Sequence, residues 1–91
     1  MVARKKYVAV DVHFSKDGEM KPTVIYWEKP DGTVTKYQID GIVGKPQKMK
    51  SAAGGYGTRY LVQIGDNRRL LFLEKDKFFL QIEKDFIVMS P

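Results

Sequence analysis

The chain has 91 residues, of which 43% are hydrophobic, 30% charged and 12% aromatic, with no cysteine, one histidine and a formal charge of +5. That length holds one domain with a small core, and so many aromatic rings exclude a disordered or low-complexity segment. Without cysteine there are no disulfides, thiolate nucleophiles or cysteine-bound metals, and a lone histidine cannot form a metal-binding His cluster.

Hydrophobic alternation at period two dominates from the start of the chain, and no segment keeps a 3.6-residue period long enough for a helix. Residues 1–6 are read as a short basic arm carrying Arg4, Lys5 and Lys6. From Tyr7 to Phe14, Val8, Val10, Val12 and Phe14 share one side of a first strand, with Ala9, Asp11 and His13 on the other. Asp17-Gly18 then supplies hairpin chemistry, because glycine adopts the positive φ of a tight turn. A second strand covers Thr23 to Lys29, with Thr23, Ile25 and Trp27 on one side, Val24, Tyr26 and Glu28 on the other, and Pro22 expected at its beginning, where a missing N–H costs least.

Pro30-Asp31-Gly32 forms the next turn, and Val34 to Ile42 reads as a third strand with Thr35, Tyr37 and Ile39 on one side. A glycine-rich connection over 44–59 follows. Arg59 to Ile64 is the fourth strand, with Tyr60, Val62 and Ile64 inward; Gly65-Asp66-Asn67 turns it into a fifth, Arg69 to Glu74. A polar turn at Lys75-Asp76-Lys77 leads into a sixth, Phe78 to Glu83, and Phe86–Met89 adds a short closing strand or a plug. The apolar runs Leu70–Leu73 and Phe78–Leu80 mark the fifth and sixth strands as covered on both faces. The expected fold is therefore all-β: one antiparallel meander of six to seven strands over 1–91, closed or partly open as an SH3-like barrel, since closure removes exposed edges.

The positive charge is local. Residues 41–65 carry four bases and no acid, and the connection 44–59 holds half of the eight glycines. Long loops in compact domains are often functional, and free N–H groups of a glycine-rich loop can cradle an anion. Lys45, Lys48, Lys50 and Arg59 would supply the charge for a phosphate backbone and Tyr56 a ring for base stacking. The Gly-Lys-Ser/Thr ending of a phosphate-binding P-loop is missing. His13 and Asp11 share a strand face but lack a nucleophile and a third ligand, and Ser51 has no activating partner. No catalytic residue, cofactor site or metal site is expected, and the protein is read as a non-enzyme. No signal peptide and no apolar run of membrane-spanning length is legible, so the expected location is cytoplasmic, away from membranes.

Trp27-Glu28 followed by Asp31-Gly32, Tyr37-Gln38-Ile39-Asp40, Gly54-Gly55-Tyr56-Gly57-Thr58-Arg59-Tyr60 and the Phe78-Phe79 pair together resemble a family of small bacterial β-domains. The resemblance spans most of residues 7–83 and departs at Lys29-Pro30, which is inserted between Glu28 and Asp31. That family has no assigned activity, so the resemblance implies a single compact β-domain and no catalytic residue. Two functional expectations follow from the residues. One is a binding module that contacts nucleic acid or another polyanion through 44–59. The other is a structural or interaction subunit that forms a homodimer or meets a protein partner through strands 69–83 and the tail 86–89.

Overall fold

The computed structural model describes residues 3–50 and 56–83, and they form an antiparallel all-β fold. Its strands are β1 (Ala3–Phe14), β2 (Met20–Glu28), β3 (Val34–Gln38), β4 (Gly41–Ile42), β5 (Gln47–Lys50), β6 (Tyr56–Ile64), β7 (Asn67–Glu74) and β8 (Lys77–Glu83). They hydrogen-bond in the order β3-β2-β1-β8-β7-β6-β4, and β5 also pairs with β6. No helix occurs among the described residues, so none there is long and apolar enough to cross a membrane.

The sheet curls because β1 serves two neighbours in succession. Its first half, Ala3–Val8, pairs with β8, and its second half, Ala9–Phe14, pairs with β2. The curl is drawn together on the far side by the chain leaving β3. There the Ile39 N–H donates to the Thr23 carbonyl (2.9 Å), and the next N–H, from Asp40, donates to the Gln63 carbonyl of β6 (2.8 Å). One continuous segment thus ties the two ends of the strand order together, as a small barrel requires. Asp40 reinforces the junction, its carboxylate accepting the Gly65 N–H at 2.7 Å.

A bulge in β2 makes this closure possible. Asp11 pairs with Val24 but Val12 with Pro22, which leaves Thr23 as the extra residue of β2. Pro22 has no N–H to contribute to the ladder, and the displaced Thr23 carbonyl is the one that receives Ile39.

The inner face of the curl buries Ile25, Trp27, Tyr60, Val62, Leu71 and Leu80, with Ile39 arriving from the junction. Burying each such side chain stabilises by about 1.5–3 kcal/mol in gross transfer terms. A second apolar layer lies on the outer face of the central strands. Phe72 and Phe79 stack there at 5.1 Å between centroids, and Tyr7 meets Phe79 edge-on at 5.7 Å. Lys5 lies over the Phe79 ring at 5.0 Å with its ammonium held 3.0 Å from Glu74, and the Tyr7 hydroxyl donates to the same carboxylate. This polar clamp explains how Phe79 reaches 2% exposure on the outside of a sheet.

Several expectations are corrected. Residues 3–6 are not a free arm but the start of β1, paired with β8. Val12 and Phe14 are 38% and 66% exposed rather than inward, because β1 outruns the strand beside it. The expected strand 34–42 is two strands, broken where the chain changes partner. The connection 44–59 contains β5, so it is largely a hairpin arm rather than a loop. Pro22 is the third residue of β2 and sits at the bulge. The tail 86–89 and residues 51–55, including Ser51, lie outside the described residues.

Candidate nucleic-acid interface

The β5–β6 hairpin is built by the register Gln47↔Arg59, Lys48↔Thr58 and Lys50↔Tyr56. Side chains alternate across a strand, so Lys48, Lys50, Tyr56 and Thr58 share one face, and Gln47 and Arg59 take the other. The first face is the one that farther along β6 sends Tyr60 and Val62 into the core. At the hairpin it emerges into solvent: Tyr56 is 76% exposed, and Lys50 Nζ lies 5.9 Å from its ring centroid. Lys48 and Lys50 are both exposed, with no acidic group in the hairpin to neutralise them.

The structure therefore brings together three of the residues singled out in the sequence and separates two. Arg59 lies on the opposite face, where its guanidinium donates to Gln47 Oε1 (2.9 Å) beside Phe72. Lys45 lies lower, lining a cleft of about 610 Å³ with Lys21, Glu19, Asp40 and the buried Tyr60. Burial pushes the Tyr60 phenol up from its ordinary value. The cleft mixes both signs of charge and is not an extension of the basic face.

Two bases that the sequence places only in a polar turn join the same end of the sheet. Thr58 pairs with Leu73, so the β7–β8 turn, Lys75–Lys77, comes alongside the start of β6. Lys77 lies 5.6 Å from the ring of Tyr7, itself 50% exposed, on the outer face. The signal available in the sequence was the pair of lysines in Lys75-Asp76-Lys77, which reads only as a polar turn until strand order places it beside the hairpin.

The remaining chemical candidates are engaged elsewhere. The Tyr26 hydroxyl donates to Asp11 Oδ2 at 2.6 Å, a bond that raises the Tyr26 pKa and turns Asp11 toward β2. His13 is exposed opposite Lys21. Asp31 caps its own turn, accepting from the Thr33 hydroxyl (2.6 Å) and N–H (2.9 Å), and these bonds hold its carboxyl below the usual range. No three His, Asp or Glu side chains converge among the described residues. Strands β7 and β8 run through the middle of the sheet, their outer face occupied by the clamp of Lys5, Tyr7 and Glu74. Comparison with protein-family models, curated proteins and solved structures finds no match for this chain.

Proposed function

We propose that the protein is a non-enzymatic binding module for single-stranded nucleic acid, with the β5–β6 hairpin as its contact surface. The observation that carries this reading is the exposed Tyr56 ring flanked by Lys50 and Lys48 on one strand face. An exposed ring accepts any base by stacking, and adjacent ammonium groups meet the phosphates on either side. Lys75 and Lys77, on either side of Asp76, add positive charge at the same end of the sheet. A double helix offers phosphates but no unstacked base, so this surface favours single strands.

Fluorescence anisotropy with labelled single-stranded RNA, single-stranded DNA and duplex DNA, at about 50 and 200 mM salt, tests the reading. Binding is expected to weaken steeply with salt because phosphate contacts release counterions. Tyr56→Ala should cost about 1–3 kcal/mol on single strands, whereas Lys48→Gln and Lys50→Gln should each lower the salt slope by about 1. Arg59→Gln, on the opposite face, should change little. No binding at the lower salt, or unchanged affinity in Tyr56→Ala, overturns the reading.

A further inference from the structure

Along Ala3–Val8 one side of β1 is covered by β8, but β8 ends there, and among the described residues no strand takes its place beside Ala9–Phe14. An open strand edge presents N–H and C=O groups ready to pair with another extended segment. Natural edges are commonly blunted by lysine, proline or a bulge. This one reads Ala9-Val10-Asp11-Val12-His13-Phe14, without lysine or proline, and the nearby bulge belongs to β2 on the opposite side. Val12 and Phe14 are 38% and 66% exposed, and a groove of about 530 Å³ lies beside Val8–Val10 and Val12 and reaches Asp76 and Lys77 at the start of β8.

We propose that this edge is a self-association site at which two copies of the chain pair β1 to β1, antiparallel, about a two-fold axis through Val12. Symmetry leaves few choices. Cross-strand neighbours share a sheet face and faces alternate with period two, so the axis must pass where a residue meets its own copy. An axis at Asp11 opposes two carboxylates, which is repulsive. An axis at His13 opposes two imidazoles and leaves Asp11 facing Ser15. With the axis at Val12, Val12 meets Val12, the Asp11 position stands opposite His13 of the second copy twice while its carboxylate keeps the Tyr26 bond, and Val10 stands opposite Phe14 twice. The length also fits, because this pairing uses Val10–Phe14 and stops short of Val8, where β8 takes over.

The chain has no cysteine, so single cysteines report the register directly. Antiparallel partners stand about 4.5–5.5 Å apart between Cα atoms, within disulfide range. Under mild oxidation Val12→Cys should give a covalent dimer. Asp11→Cys or His13→Cys alone should not, whereas their mixture should cross-link. In sedimentation equilibrium, His13→Glu should weaken the dimer about tenfold by placing like charges opposite twice. His13→Glu leaves the Tyr26–Asp11 bond in place and faces Lys21 across β2, so its fold is retained. A chain that stays monomeric up to about 1 mM, at the weak limit of specific pairing, overturns the proposal. Equal cross-linking of all three cysteine variants, or a dimer indifferent to His13→Glu, also overturns it.

Discussion

A glycine that reads as loop flexibility proves to be a packing requirement. Gly57 lies in β6, where a Cβ would collide with the Leu73 carbonyl of β7. Gly57→Ala must push the two backbones apart, and the expected cost is about 1–3 kcal/mol in urea denaturation. The Gly-rich composition of 54–57 was plain in the sequence; that one of these glycines faces a neighbouring carbonyl depends on a strand sixteen residues away, which no local pattern encodes. Glu74 makes a second point at this scale. Lys5 and then Tyr7 hold its carboxyl below the usual range by hydrogen bonding. A depressed carboxyl stabilises the fold above its unfolded pKa, about 4.3, and that contribution is lost as pH falls through the lower folded value. Glu74→Gln should therefore flatten part of the acid decline in Tm between about pH 5 and pH 2. Asp31 shifts in the same direction, so some of the decline remains.

Elements were legible in proportion to how regular they are. Alternation correctly sorts Ile25 and Trp27 from Tyr26, and Tyr60 and Val62 from Leu61, because one face of each strand meets the same core along its length. The apolar runs of β7 and β8 likewise reveal two covered faces, with Leu71 and Leu80 inside and Phe72 and Phe79 outside. Alternation cannot show a change of partner, and so the break at Ile39–Asp40 and the bulge at Thr23 were hidden. The same blindness affected the candidate site. A loop has no faces, so sequence alone groups Arg59 with Lys48 and Lys50, whereas pairing with β5 gives the hairpin two sides. The sorting of strand faces has a direct check: Ile25→Ala, at 0% exposure, should lose about 2–5 kcal/mol, whereas Val34→Ala, at 55%, should stay within about 0.5 kcal/mol.

At the scale of the molecule, the first strand is held at both flanks by parts of the chain made at very different times. Ala9–Phe14 needs only β2, and β2 needs only β3, so that corner can form once residue 38 has emerged. Ala3–Val8 has to wait for residues 78–83, with Ala3 finding Glu83 across nearly the whole length of the described chain. Closing so long a loop delays barrel completion and places folding among the slower, millisecond-to-second topologies. The topology therefore lets a three-strand corner of β1, β2 and β3 form while the first half of β1 still has no partner. For that interval the lysines at 5 and 6 keep the unpaired segment charged, a gatekeeper role that ends when Lys5 closes over Phe79.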